Sequence, residues 1–212
     1  MIDVSLYSIE LASLVGPLDW PTVFGNDHPV ELEVGSGKGL FLANAGSAVP
    51  DRNFMGVELS RKYARRAAER VAKRGLANVR VVQGDARQLL GCQVPAGSVR
   101  AVHIYFPDPW WKKKHKKRRV FTASFVDDVA RILEPGGEFY VATDVEEYFG
   151  VMRELVAGQH VFEELPPPAP STPEHDLDYL TNFERKYRIE GRPIFRAHYR
   201  LVSHRAEPLA RE

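Results

Sequence analysis

Cysteine is nearly missing from this chain, with Cys92 standing alone. One thiol excludes an intramolecular disulfide framework and a cysteine-rich zinc centre. No apolar run reaches 18 residues, so no membrane-spanning helix is expected. Met1-Ile2-Asp3-Val4 has no basic segment, and Glu10 interrupts the apolar residues that follow, so no secretory leader is expected. The expected setting is a reducing cytoplasm, without a membrane and without a metal. An excess of one charge is also missing, since the formal net charge is only +1. A globally basic surface is thereby excluded. Positive charge is instead concentrated: residues 112–119 hold seven Lys or Arg around His115, and acids outnumber bases in the rest. A dense local patch points to a specific anionic partner.

The length of 212 residues suits one α/β domain with a substantial core. We expect it to span residues 1–212, with 1–28 as an arm packed on it. Within the arm, Ser5 to Leu14 is expected to be helical. Five apolar segments then alternate with helical ones: Val30 to Val34, Asn53 to Leu59, Val79 to Val82, Val99 to Phe106 and Glu138 to Ala142. Helices are expected over Leu40 to Ala48, from a Ser60 cap to Lys73, over Phe121 to Leu133 and over Tyr148 to Val156. Glu134-Pro135-Gly136-Gly137 ends the third of these. A proline-rich connector over 165–173 leads to a final strand, Ile194 to Val202, at or near a sheet edge. The pattern predicts a doubly wound, mostly parallel Rossmann-like sheet with an antiparallel edge strand.

In such sheets ligands bind beyond the carboxyl ends of the strands. Candidate residues collect there. Gly35-Ser36-Gly37-Lys38-Gly39 closes the first strand, and glycines at a strand-to-helix turn let backbone approach a ligand. The dehydrogenase spacing would need Gly where Leu40 stands, and a P-loop would need Ser or Thr after Lys38. Glu58 ends the second strand, where an acid can take two ribose hydroxyls or be a surface glutamate. Asp85, after the third, suits the N-cap of a helix over Ala86 to Leu90. Asp108 sits between two prolines in Phe106-Pro107-Asp108-Pro109-Trp110-Trp111, which confine its backbone. The two indoles suit base stacking or wall packing. Asp144 ends the fifth strand. The cations of segment 61–74 form a solvated helix face or an auxiliary phosphate contact.

The motif acid-x-Gly-x-Gly-x-Gly resembles the first motif of class I methyltransferases that use S-adenosylmethionine. Glu33 to Gly39, Phe106 to Trp110 with the basic run, Ala142-Thr143-Asp144 and Thr181-Asn182-Phe183-Glu184 together resemble the bacterial tRNA (guanine-N7)-methyltransferases over about residues 25 to 200. That resemblance implies methylation of a variable-loop guanosine, position 46, in tRNA. It assigns Glu33, Gly35, Gly37, Glu58, Asp85, Ala86 and Asp108 to S-adenosylmethionine, with Asp85 accepting from the adenine amino group beside the Ala86 N–H. It makes Asp108 the catalytic candidate and gives Lys112, Asp144, Thr181, Asn182, Phe183 and Glu184 to the substrate. Lys114, His115, Lys116, Lys117, Arg118 and Arg119 fall to RNA. A monomer or homodimer is expected. The sequence departs from the pattern at Ser36, where an aromatic is usual, at Trp111, where proline is common, and loosely over Arg185 to Gly191.

Guanine N7 carries an exposed lone pair, so in-line displacement needs no general base, and alignment is the main requirement. A carboxylate near the base, from Asp108 or Asp144, would stabilise the charge that develops on it. The base is expected to leave the tRNA tertiary core to react. Two other readings remain open: a class I methyltransferase with another substrate, and a non-catalytic RNA-binding module on the same fold.

Overall fold

The computed structural model describes residues 3–110, 119–169 and 180–202. Within them lie eight strands in one sheet: β1 (Ser8–Glu10), β2 (Val30–Val34), β3 (Asn53–Glu58), β4 (Val79–Gln83), β5 (Val99–Tyr105), β6 (Leu133–Thr143), β7 (Phe162–Leu165) and β8 (Phe195–Leu201). Helices α1 (Trp20–Phe24), α2 (Leu40–Ala48), α3 (Arg61–Lys73), α4 (Ala86–Gln88), α5 (Ala123–Ile132), α6 (Glu146–Ala157) and α7 (Asn182–Ile189) connect or flank them.

The strand order is β1-β4-β3-β2-β5-β6-β8-β7. Every neighbouring pair from β1 to β6 is parallel, and β8 runs antiparallel to both β6 and β7. The chain builds outward from β2 to β4, then returns to place β5 on the other side of β2. Order reverses there, and the loops after β2 and β5 diverge to leave a crevice at their carboxyl ends.

Both faces of the central strands are covered. Val34, Met55, Val102 and Ile104 join α5 and α6 in one core. Phe41, Phe54, Ala64, Ala67 and Val71 pack α2 and α3 against the other face. Gly39, at φ +69, must be glycine for this packing: a Cβ there would stand 2.8 Å from the Ala67 Cβ.

Several boundaries differ from the sequence expectation. Ser5 to Leu14 is not a helix: Ser8, Ile9 and Glu10 pair with Val81, Val82 and Gln83, and Leu11–Ser13 forms a 3-10 turn. The otherwise open edge of β4 offers its backbone groups to this segment, and those partners outweigh weak local periodicity. Ser60 occupies the N-cap position of α3, but its side chain makes no capping bond. β6 begins five residues before the expected Glu138, since Leu133 already pairs with Val99 ahead of a register shift. β7 and α7 were not foreseen, and β8 lies one place inside β7 at the edge.

Candidate active site

The parallel register carries the end of each central strand to one rim of the sheet. Glu33 and Glu58 lie at the ends of β2 and β3. Asp85, Asp108 and Asp144 follow β4, β5 and β6. These strands are consecutive neighbours, so five acids from 112 residues of sequence share one edge.

The two glutamates do different work. Glu58 Oε2 accepts from the Gly37 N–H at 2.9 Å, and Oε1 accepts from the Ser60 N–H at 2.7 Å. Both oxygens are oriented by backbone, yet each keeps a further lone pair. Glu33 is buried, and burial first and the nearby Glu58 second push its carboxyl up to about 8. Its Oε2 and the Ser36 Oγ have no hydrogen-bond partner among the described residues. Unsatisfied buried groups of this kind are costly, and a ligand with donors would satisfy them. Gly35 and Gly37 have φ of +76 and +54, and no atom lies within 4 Å of where their Cβ atoms would stand. The turn therefore leaves open space at both glycines. A polar, cationic ligand fits these residues.

Asp85 caps α4 by accepting from the Arg87 N–H at 2.9 Å and also pairs with the Arg87 guanidinium at 2.7 Å. Its carboxyl lies below the ordinary range, mainly through the Arg87 side chain. The capping role is thus occupied, with the side chain still about one-third exposed.

The turn after β5 is strained. Phe106 and Trp110 have φ of +52 and +40, rare for bulky residues. Phe106 N–H donates to Ala142 O at 2.7 Å, and Arg119 Nε–H donates to Pro109 O at 2.6 Å. The Arg119 guanidinium also lies 5.0 Å from the Tyr148 ring centroid. These bonds pin the turn from both sides, leaving Asp108 exposed between them. Arg119, assigned to RNA by resemblance, is therefore engaged within the protein. Trp111, Lys112, Lys114, His115, Lys116, Lys117 and Arg118 lie outside the described residues.

Thr181 to Glu184 forms the start of α7. Thr181 Oγ1 accepts from the Glu184 N–H at 3.0 Å, and Glu184 Oε2 accepts from the Leu180 N–H at 3.1 Å. This is a reciprocal N-terminal cap close to the capping-box pattern. Glu184 is buried and binds Arg196 at 2.7 Å. Two of the four residues expected at the substrate thus build the helix end, while Asn182 and Phe183 are exposed. Phe183 and Tyr187 pack beside Phe106, with centroids 6.2 and 5.4 Å from its ring. Asp144 pairs with Arg192, whose guanidinium stacks 4.2 Å from the Tyr187 centroid.

Sequence reading missed Tyr187, Arg192, Arg196 and the aromatic face behind them. Phe183 and Tyr187 at i and i+4 were the only local signal. A cavity of about 290 Å³ opens there, walled by Tyr105, Tyr140, Leu180, Glu184 and Arg196 among others. His103 links to Tyr105 OH at 2.8 Å and to buried Glu31 at 2.9 Å, and it stacks on Tyr140 at 4.9 Å. Among the described residues, no group of His, Cys, Asp or Glu is arranged to hold a metal ion, and no helix is long and apolar enough to cross a membrane.

The family described as "Putative methyltransferase" matches residues 27–197. A tRNA (guanine-N(7)-)-methyltransferase of Rhodopirellula baltica is 46% identical over 190 residues, covering 86% of this chain and 69% of that one. One from Geobacter metallireducens is 34% identical, covering 96% and 97%. Among solved structures, the 16S rRNA methyltransferase KamB superposes with a TM-score of 0.63 over 87% of this chain and 93% of its own, at 17% identity. That last likeness concerns the fold.

Proposed function

The chain belongs to the tRNA (guanine-N7)-methyltransferase family, and we propose on that premise how its residues perform the reaction. The activity is transfer of a methyl group from S-adenosylmethionine to N7 of a guanosine in tRNA. We take the guanosine to be the variable-loop position 46. We take residues 1–212 as one catalytic unit with 1–28 as its arm, acting in the cytoplasm. The observation that carries the reading is the row of acids from Glu33 to Asp144 along one rim of the parallel sheet, around the point where strand order reverses.

S-adenosylmethionine supplies an electrophilic methyl group on a sulfonium, together with an ammonium and ribose hydroxyls. Glu33, with its unpaired Oε2, would hold a cationic donor beside the open glycine turn at Gly35 and Gly37. Glu58 offers its two remaining lone pairs to ribose hydroxyls, already aimed by Gly37 and Ser60. Asp85 and the backbone at Ala86 would bound the adenine.

Guanine N7 needs no base, so the protein's task is placement and charge. Asp108, exposed on a doubly pinned turn, is the carboxylate that would face the base as positive charge develops. Asp144 would orient the base by accepting its N–H groups, exchanging Arg192 for them. Phe183, exposed above Phe106 and Tyr187, would stack on the base or its neighbour. The cavity behind, with Tyr105 and Tyr140 as walls, suits a purine turned out of its stack.

The test is incubation of purified protein with unmodified tRNA and methyl-labelled S-adenosylmethionine, followed by nucleoside analysis. Label in N7-methylguanosine at position 46 supports the reading. Label elsewhere in RNA, or only in other substrates, rejects it.

A further inference from the structure

The exposed cations of α3 differ from four arginines elsewhere in the described structure. Arg100, Arg153, Arg192 and Arg196 each face a carboxylate, at Glu134, Glu164, Asp144 and Glu184. On α3, Arg65 pairs with Glu69, but Lys62, Arg66 and Lys73 have no carboxylate partner among the described residues and are exposed. Helical geometry places these three within about 40° of one another around the axis. Arg70 flanks them, half-buried, with an Nη1 that has no partner among the described residues.

In its first turns this arrangement opposes the helix that carries it. Lys62, Arg66, Arg70 and Arg74 repeat at i, i+4 spacing, where like charges repel. Arg61 and Lys62 occupy a first turn with no acid, where the helix dipole is positive. A polyanion lying along the stripe would reverse the sign of both terms.

We propose that this outer face of α3 is a second docking surface for the phosphate backbone of tRNA, separate from the 112–119 run. The inference rests on the tRNA methyltransferase reading. α3 starts three residues after Glu58, and Lys38 in the glycine turn lies 5.9 Å from the Tyr63 ring centroid. The row therefore begins beside the cofactor turn and extends along a helix of 13 residues, ~20 Å at 1.5 Å per residue. RNA held along it would be positioned relative to the rim without any contact to a base.

The experiment compares tRNA affinity across a salt series for wild type, a Lys62→Gln/Arg66→Gln/Lys73→Gln variant and an Arg100→Gln/Arg153→Gln control. Three phosphate contacts should remove about 2 from the salt slope, at 0.7–0.9 per contact. The control should keep the wild-type slope. The α3 variant should fold, because all three side chains are exposed, and its S-adenosylmethionine affinity should not change. An unchanged slope in the folded α3 variant, or equal slope loss in the control, overturns the proposal. Should the triple variant lose cofactor binding, Lys62→Gln/Arg66→Gln is measured instead, with an expected slope loss of about 1.5; an unchanged slope there overturns the proposal equally. N7-methylation by wild type is measured alongside. Its absence would sink the functional reading, whereas active wild type with an unaltered α3 slope would sink only this surface.

Discussion

Glu58 Oε2 receives the Gly37 N–H at 2.9 Å, so the carboxylate that ends β3 is tied to the turn that ends β2. The Ser60 N–H holds the other oxygen. The acid is therefore aimed before any ligand arrives, which lowers the ordering cost of binding.

Removing this carboxylate should weaken the cofactor site while sparing the RNA surface. Glu58→Ala is expected to cost about 1–3 kcal/mol of S-adenosylmethionine affinity. Glu58→Gln should fall between, since its carbonyl keeps one acceptor but its amide opposes a backbone N–H. Calorimetry with the cofactor and a separate tRNA titration check this. Unaltered cofactor affinity in Glu58→Ala would remove the ribose assignment.

Glu33 predicts a pH dependence. Burial raises its folded pKa from an ordinary 4.5 to about 8. The folded state then holds a proton that the unfolded state has lost, so the contribution to stability is full below 4.5 and disappears as pH rises to about 8. Ligand-free wild type should lose stability across that window, and Glu33→Gln should flatten the curve. Binding a cationic ligand should also release a proton near pH 7. Calorimetry in buffers of different ionisation enthalpy would show that release in wild type and not in Glu33→Gln. Buffer-independent heats in wild type would refute it.

Asp108 is exposed, so its loss should leave the fold intact. Asp108→Ala is expected to lower single-turnover methyl transfer by about 10²–10³, the range for losing one preorganised electrostatic group. Asp108→Asn separates charge from hydrogen bonding. Near-normal rates in both variants would exclude Asp108 from the reacting centre.

The segment Thr181 to Glu184 should divide into structure and contact. Thr181→Ala is expected to cost about 1 kcal/mol through the lost cap. Glu184→Ala should cost about 3 kcal/mol, because the Arg196 guanidinium, with a side chain only 20% exposed, loses its carboxylate. Phe183→Ala should change stability by less than about 1 kcal/mol, its residue being 52% exposed, while turnover on tRNA falls. Urea unfolding beside kinetics makes the separation. A Phe183→Ala variant as unstable as Glu184→Ala would make that ring a packing element instead.

The sequence by itself determined the parallel sheet and the residues at its central strand ends. Apolar runs between helical stretches and glycine or proline turns at the carboxyl ends are local signals, and parallel pairing then brings Glu33, Glu58, Asp85, Asp108 and Asp144 to one rim. Tertiary structure decided what depends on partners distant in sequence. Ser8 to Glu10 became a strand because β4 had an open edge. The Arg192–Asp144 pair joins residues 48 apart, and the Glu31–His103 bond joins residues 72 apart. No periodicity encodes such pairs, because side chains on separate elements meet only after the sheet has ordered them. The same holds for Thr181 and Glu184. The helix they begin was not expected from the sequence, and only the buried pair with Arg196 shows how much of that motif holds the protein together.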